Sequence, residues 1–337
     1  MATNDSWLAL VQEETLEPDL PICDPHHHLW NQRPDRVEPR YLMDEILVDL
    51  NSGHHIVSTV FVQCTAMHRA DGPEAMRPVG ETEFVNGIAA MSASGLYGST
   101  RIAAGIVGTA DLTLGEAVAE VLEAHVQAGG GRFRGIRQSA AWDPAGAAIA
   151  SRMAPPHLYM DAKFRTGYAQ LARFNMTFEG WCYHHQLKEL TDLARAFPDT
   201  AIILDHFGGP LGVGPYAGKR EALLEPWRQD MSELAKCANV VAKLGGINMP
   251  INGFGWHERE RPPTSQELME ATRPYYEHAL EQFGADRCMF ESNFPVDKES
   301  CSYNVLWNSF KRLTADYSAD EKAKLYHDTA ARVYRLT

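Results

Sequence analysis

The segment Asp24-Pro25-His26-His27-His28-Leu29-Trp30 follows a short apolar lead, Leu20-Pro21-Ile22-Cys23. Alternate side chains of a β-strand point to one face, so His26 and His28 should leave the C-terminal end of this strand side by side, with Asp24 just below them. Two neutral imidazoles at that spacing can bind one divalent metal ion. A histidine-rich turn without an ion is an equal alternative for this segment taken alone.

The sequence after this segment alternates between strand and helix patterns. Buried or β-branched runs predict strands at residues 55–64, 101–108, 133–139, 176–184, 200–207, 239–246 and 287–293. Apolar residues at helical spacing predict helices at residues 41–51, 81–94, 114–128, 161–174, 186–197, 220–237 and 265–283. Eight strands that are each followed by helical sequence favour an α/β protein of the (β/α)8, or TIM barrel, class. An open doubly wound sheet is the competing fold, but no glycine-rich phosphate turn follows the first strand.

The domain organisation follows from where this alternation lies. We expect residues 1–20 to be an N-terminal extension and residues 21–337 to form a single barrel domain. Two connections, residues 140–160 and 247–264, are longer than ordinary turns, and both follow strands. The second contains Trp256, His257 and several glycines and prolines, which indicate a lid over the barrel mouth; a surface insert is the alternative.

The composition is that of a globular protein with an excess of acidic residues. The chain has 44 acidic and 31 basic residues and a net charge of -13, which disfavours general binding to nucleic acid or to anionic membranes. The acidic N-terminus resembles no targeting signal, and no apolar run is long enough to span a bilayer. The six cysteines form no CxxC pair, so we expect a reduced, cytoplasmic protein. A homodimer is one assembly that the sequence leaves open.

Polar residues stand at the C-terminal ends of the predicted strands, which is where barrel enzymes carry their chemistry. They are His26, His28, Arg137, His184, His206, Lys243, Glu291 and Asn293. On the fifth strand, His184 shares a face with the small residues Gly180 and Cys182, which predicts that it points into the barrel. Each residue alone could be structural, but four histidines that converge on one barrel mouth favour a functional site.

Six motifs in this order resemble one known family: DPHHHLW, RFRGIRQ, WCYHHQL, LDHFGGP, AKLGG and RCMFESNFPVDK. From Asp24 to the last helix, the chain is similar to the amidohydrolase-related (amidohydrolase 2) family of metal-dependent barrel hydrolases. Within that family it most resembles the branch of sugar-lactone and 2-pyrone-4,6-dicarboxylate lactonases.

The resemblance implies a divalent metal, zinc or manganese, on His26, His28 and His184, with His206 as the residue that polarises the substrate or moves a proton. The fourth ligand of the family, an aspartate on strand eight, falls on Asn293. An asparagine offers a carbonyl oxygen but neither a charge nor a general base, so both metal binding and water activation are open. Glu291 and Asp297 are two carboxylates that could compensate, or they could form a salt bridge and a helix cap.

Arg137 and Lys243 would be buried cations at the barrel mouth, where an anion has to offset the cost of their desolvation. A carboxylated substrate would supply that anion, because arginine binds a carboxylate through two parallel hydrogen bonds. Internal pairing with Glu179 or Glu291 is an equal alternative. Tyr183 and Trp256 are further candidates for contacts with the substrate.

The resemblance implies a hydrolase that opens a lactone or a related cyclic ester, and the two cations favour a small carboxylated metabolite as its substrate. We expect His206, Asp297, Lys243 and Asn293 to take part in catalysis. A non-oxidative decarboxylase of a small unsaturated or aromatic acid is the first alternative. A binding protein without catalytic activity is the second.

Overall fold

The structure is a computed structural model that describes residues 4–151 and 153–336. The first three residues of the predicted extension, one residue of the long loop at 140–160, and the last residue of the predicted domain therefore lie outside the described residues.

Eight parallel strands form the predicted (β/α)8 barrel, with each strand hydrogen-bonded to its neighbours in chain order. The strands are β1 Ile22–His27, β2 Ile56–Val62, β3 Arg101–Gly108, β4 Phe133–Arg137, β5 Thr177–Gly180, β6 Ile202–Leu204, β7 Val240–Leu244 and β8 Cys288–Phe290. The first strand meets the segment after the last one, because the His28 amide donates to the Phe294 carbonyl at 2.8 Å and the Asn293 amide donates to the His26 carbonyl at 2.9 Å. The histidine segment is therefore part of the seam that closes the barrel.

Helices surround the barrel and cover its N-terminal end. The α-helices of the described chain are α1 Asp5–Leu8, α2 Met43–Leu50, α3 Val79–Ala93, α4 Val118–Ala128, α5 Ala162–Tyr168, α6 Leu187–Ala196, α7 Arg220–Ala235, α8 Ser265–Phe283, α9 Tyr303–Leu313, α10 Ala319–Ala323 and α11 Thr329–Val333. The residues at the end of α11 close the barrel from below, where Val333 and Tyr334 pack against the inward side chains of Val60 and Ile203. None of the helices in the described ranges has the length and apolar character to cross a membrane.

Several strands are shorter than the sequence pattern predicts, and β5, β6 and β8 end three or four residues early. The extended chain ends at Gly180, Leu204 and Phe290, whereas the pattern continued to residues 184, 207 and 293. His206 and Asn293 adopt left-handed backbone, with φ of 52° and 56°, which ends a strand because it turns the next peptide out of the ladder. Polar side chains therefore reach the barrel mouth from turns as well as from strands.

The N-terminal segment packs on the side of the barrel mouth. Trp7 Nε1 donates to the Arg259 carbonyl at 3.0 Å, which ties this segment to the 247–264 loop. Glu13 accepts a hydrogen bond of 2.7 Å from the Ser265 amide at the start of α8. The loop itself contains two short 3₁₀ turns, Pro250–Asn252 and Trp256–Glu258. Its role as a lid stays a prediction.

A buried carboxylate fastens the seam between the first and last strands. Asp24 accepts hydrogen bonds from the Ser292 amide at 3.0 Å and from the Tyr303 hydroxyl at 2.9 Å. Burial raises the pKa of Asp24 to about 6, although the hydrogen bonds from Ser292 and Tyr303 oppose this shift. This side chain joins β1, the segment after β8, and α9.

We expect Tyr303→Phe to lower the free energy of unfolding at pH 8 by about 1.5–3 kcal/mol, the usual worth of a hydrogen bond to a charged group. Tyr168→Phe is the matched control, because the Tyr168 hydroxyl is buried and has no hydrogen-bond partner among the described residues. The control should be neutral or slightly stabilising in urea unfolding. Equal losses in both variants would contradict this role of Asp24.

Candidate active site

A cavity of about 950 Å³ opens at the C-terminal ends of the strands. Four residues that the sequence placed at the barrel mouth line it together: His28, Arg137, His206 and Asn293. The 247–264 loop contributes another part of the wall, from Met249 to Glu258. The barrel thus brings these four predicted side chains to one solvent-connected space.

His26 lies under this cavity and is surrounded by charged groups. Its Nδ1 atom is 2.8 Å from Glu291 Oε2 and 3.2 Å from Lys243 Nζ, while its Nε2 atom is 3.3 Å from Arg137 Nη1. Burial, followed by the charge of Lys243, lowers the pKa of His26 to about 4. The ring is therefore neutral at physiological pH.

The two predicted cations are both paired inside the protein. Lys243 is fully buried, and its Nζ atom lies 2.7 Å from Glu179 Oε2 and 3.5 Å from Asp205 Oδ1. Arg137 Nη1 lies 3.3 Å from Asp205 Oδ2, and Nη2 donates to the Gln63 carbonyl. Their positions differ in one respect: Arg137 lines the cavity, with an Nε atom that has no partner among the described residues, whereas Lys243 is not on the described cavity wall. A direct role of Lys243 stays a prediction.

His206 forms a close pair with a buried carboxylate. Its Nδ1 atom is 2.6 Å from Glu291 Oε1, which leaves Nε2 as the ring nitrogen available to a ligand. Burial alone would lower the pKa of His206, but the charges of Glu291 and Asp205 outweigh it and raise the pKa above its usual value. The Trp181 ring packs edge-on against the imidazole, with 5.0 Å between the ring centres.

Asn293 and Asp297 form a second pair beside His206. Asn293 Nδ2 donates to Asp297 Oδ1 at 2.9 Å, so the amide oxygen of Asn293 is left to accept a hydrogen bond. Asp297 is fully buried, and its other oxygen has no hydrogen-bond partner in the described chain. Burial raises the pKa of Asp297 to about 7, although its bond with Asn293 opposes this. Asp297 is not on the described cavity wall, whereas Asn293, its hydrogen-bond donor, is.

His28 is fixed by the neighbouring strand. Its Nδ1 atom lies 2.7 Å from the Val62 carbonyl, which assigns the proton to Nδ1 and leaves Nε2 as an acceptor. Its ring centre is 4.9 Å from that of His26. Burial, followed by the charge of His26, lowers the pKa of His28 well below its usual value.

The structure does not bring His184 to these residues. β5 ends at Gly180, so the alternation on which the inward orientation of His184 depended does not extend to this residue. The His184 ring instead accepts a 3.3 Å hydrogen bond from the Leu211 amide and lies 5.2 Å from the Tyr216 ring, measured between centres. Its metal-binding role remains a prediction that this position does not favour.

The two predicted aromatic contacts also lie off the described cavity wall. Tyr183 packs in a small apolar cluster with Ala141 and Leu211. Trp256 donates from Nε1 to Asn248 Oδ1 at 3.2 Å and stacks on Phe254. Trp181 and Trp30 provide the aromatic surface of the cavity instead.

The residues that can hold a metal differ from the predicted set. Among the described residues, the donor atoms of His26, Asp205 and His206 lie within 4.8 Å of one another. Two imidazoles and a carboxylate suit a divalent ion, and Asp205 Oδ1 is a buried acceptor without a hydrogen-bond partner in the described chain. The group therefore fits a metal by donor type. Lys243 and Arg137 contact the same donors, however, so an ion would face two fixed positive charges.

Asp205 was not among the candidates from the sequence, although the signal was present. It stands next to His206 in the LDHF motif, at the predicted end of strand six. A carboxylate at a strand end of a barrel deserves the same weight as a histidine there. Gln63 and Arg33, which also line the cavity, follow strands without any distinctive motif.

Comparisons with known proteins agree with this architecture. A family model described as amidohydrolase matches residues 23–336. The uncharacterized protein y4mH of Sinorhizobium fredii is 34% identical over 336 residues, which cover 94% of this chain and 99% of that protein. An L-fucono-1,5-lactonase of Burkholderia ambifaria is 23% identical over 318 residues, or 93% of this chain and 95% of the lactonase.

The fold is shared with solved structures. The crystal structure of an amidohydrolase from Burkholderia multivorans with bound zinc superposes with a TM-score of 0.71 and 24% sequence identity, over 94% of this chain and 99% of that chain. At this identity the likeness shows the fold alone. The family model, by contrast, extends over nearly the whole chain and has the boundaries that the motifs predicted. The chain belongs to the amidohydrolase family.

Proposed function

We propose that this amidohydrolase is a lactonase that hydrolyses the ring ester of a small carboxylated molecule. The observation that carries the proposal is the His206–Glu291 pair, with 2.6 Å between Nδ1 and Oε1, at the wall of the cavity. A histidine oriented by a carboxylate is a general base for the attack of water on an ester. The relatives named L-fucono-1,5-lactonase support a lactone as the substrate class.

In this reaction, His206 carries a proton from the attacking water to the leaving alkoxide. Water approaches the lactone carbonyl, and His206 Nε2 takes one of its protons as the new C–O bond forms. The amide oxygen of Asn293 accepts the other water hydrogen and orients the attack. When the ring C–O bond breaks, protonated His206 returns its proton to the leaving alkoxide, which yields an open hydroxy acid. Glu291 stabilises the charged imidazole between these two steps.

A metal ion has a limited place in this arrangement. When bound by His26, Asp205 and His206, a divalent ion would polarise the lactone carbonyl. His206 has only one ring nitrogen left after its contact with Glu291, so it either binds the ion or takes the proton. We assign it to the proton, and we infer that zinc or manganese binds weakly because Lys243 and Arg137 face the same donors.

Arg137 supports an anionic substrate. It lines the cavity with the exposed part of its side chain, while its Nε–H group is buried and has no partner in the described chain. Asp205 pairs with Nη1, so a substrate carboxylate would share the guanidinium with this internal partner. The same contact would serve a decarboxylase, so release of hydroxy acid and release of carbon dioxide should be measured on the same panel.

We further propose a lid, a cellular location and an assembly. The 247–264 loop lines the cavity and would act as its lid. The six cysteines are all free thiols, which supports a cytoplasmic location. A homodimer is the assembly that we would test first.

We expect His206→Asn to lower kcat by about 100-fold or more, the usual worth of a positioned general base. Glu291→Gln should lower kcat less, because glutamine still accepts the hydrogen bond but does not stabilise the imidazolium. A general base acts in its neutral form, so kcat/KM of the wild type should rise with pH through the raised pKa of His206. A wild-type kcat in His206→Asn, with an unchanged unfolding midpoint, would exclude this base.

We expect Arg137→Lys to lower kcat/KM for a carboxylated lactone by about tenfold or more, because lysine cannot form the bidentate contact. A neutral lactone of the same ring size should lose much less. The comparison requires both lactones with both proteins. An equal loss for the two lactones would show that Arg137 acts through Asp205 and not on the substrate.

Protein purified without chelator should contain less than one metal per chain, because two cations face the donors. Asn293→Asp should raise the zinc content, measured by atomic emission after equilibrium dialysis, because it adds a carboxylate beside His206. A full complement of tightly held metal in the wild type, unchanged by Asn293→Asp, would contradict the assignment of His206 to the proton.

A further inference from the structure

A buried carboxylate outside the catalytic cluster joins three loops of the barrel mouth. Asp143 is 1% exposed and lies in the long loop after β4. Its Oδ2 atom accepts from Tyr216 Oη at 2.6 Å and is 2.8 Å from His185 Nε2, while Oδ1 accepts from the Ala145 amide at 2.8 Å. We call Asp143, His185 and Tyr216 the Asp143 cluster. His185 follows β5, and Tyr216 follows β6.

The hydrogen bonds of the cluster offset the free-energy cost of burying the Asp143 carboxylate. An ionised carboxylate in the interior requires hydrogen bonds to replace those of water. Burial raises the pKa of Asp143, but the bonds from Tyr216 and Ala145 outweigh it, and the pKa is lower than usual. A carboxylate that depends on donors from two other loops holds those loops in one arrangement.

Two of the joined loops form one wall of the cavity. Ile149 and Ala150 come from the loop of Asp143, and Val213 and Gly214 come from the loop of Tyr216. The loops also touch each other, because a Cβ atom added to Gly214 would lie 3.2 Å from the Ala148 carbonyl oxygen. A change in the cluster would therefore move both parts of this wall.

The neighbours of the cluster strengthen this connection. The His184 ring lies 5.2 Å from the Tyr216 ring between centres, and the Leu211 amide donates to His184 Nδ1 at 3.3 Å. A small apolar group beneath the wall joins Tyr183 and Leu211 to Ile149. Tyr183 and His184, which the sequence predicted as a substrate contact and a metal ligand, thus pack beside the Asp143 cluster.

We propose that Asp143 is a positioning residue, which fixes the wall formed by residues 149–150 and 213–214 through His185 and Tyr216, and thereby determines which substrates the cavity accepts. The cluster does not contact the reacting atoms. Its removal should therefore change KM and substrate preference more than kcat for the preferred substrate. This kinetic part rests on the proposed lactonase function, whereas the effect on the loops does not.

The test uses Tyr216→Phe, which removes one hydroxyl and keeps the ring, and Asp143→Ala as the stronger variant. His157→Asn is the matched control: His157 lies in the same long loop and contacts Glu189 at 2.7 Å, away from the cavity wall. Asparagine also tolerates the left-handed backbone of His157, whose φ is 58°. Amide hydrogen exchange of the full chain is measured for the segments 144–150 and 211–217.

We expect both segments to exchange faster together in Tyr216→Phe, while the control leaves the 211–217 segment unchanged. On a panel of 1,5-lactones of increasing size, KM for the best wild-type substrate should rise about three- to tenfold, with kcat within about twofold. Preference should shift towards larger lactones.

Unchanged exchange in both segments of Tyr216→Phe would overturn the proposal, whatever the activity. So would a loss confined to kcat, since that would place the cluster in the chemical step. If the wild type opens no lactone at all, the proposed function fails, but the exchange result still decides whether Asp143 holds the wall.

Discussion

The buried contact between Lys243 and Glu179, 2.7 Å long and fully shielded from solvent, is the constraint on which the site depends. An ammonium group in a barrel interior is tolerated only when carboxylates surround it. Asp205 and His26 lie within 3.5 Å of the same Nζ atom, and both contact Arg137, which lines the cavity. The groups that neutralise the Lys243 ammonium group therefore also determine where the catalytic candidates lie.

The fold supplies partners for this cluster from both ends of the barrel. Below it, the Tyr334 hydroxyl donates to Glu179 Oε1 at 2.6 Å, from the segment that closes the barrel bottom. Above it, Glu291 contacts both His26 and His206. Three of the four oxygens of these two carboxylates form a hydrogen bond, while Glu291 Oε2 lies 2.8 Å from His26 Nδ1 without one. The contacts that orient the His206 imidazole therefore extend through Glu291, His26 and Lys243 to Glu179 and Tyr334.

Much of this arrangement could be predicted from the sequence, and the limits have physical reasons. Periodicity predicted β3 at residues 101–108 and α8 at residues 265–283 with their observed bounds, because strong patterns coincide there with clear starts and stops. The same reasoning extended β5 to residue 184, four residues beyond its observed end at Gly180. The predicted inward orientation of His184 depended on that extension. Contacts such as that of Arg137 with Asp205 join residues far apart in sequence, and hydrophobic periodicity cannot predict them.

The asparagine that follows β8 is explained by its neighbour Asp297. In the family that the motifs resemble, this position carries an aspartate, but here Asn293 donates to Asp297 Oδ1 at 2.9 Å. An aspartate at residue 293 would place two carboxylates in contact in a buried site, where one of them would stay protonated unless a cation is bound. Glu291 meanwhile supplies the charge beside His206. The negative charge of the site therefore lies on Glu291, one layer beneath the cavity wall, and under the proposed function His206, not residue 293, meets the substrate as the base.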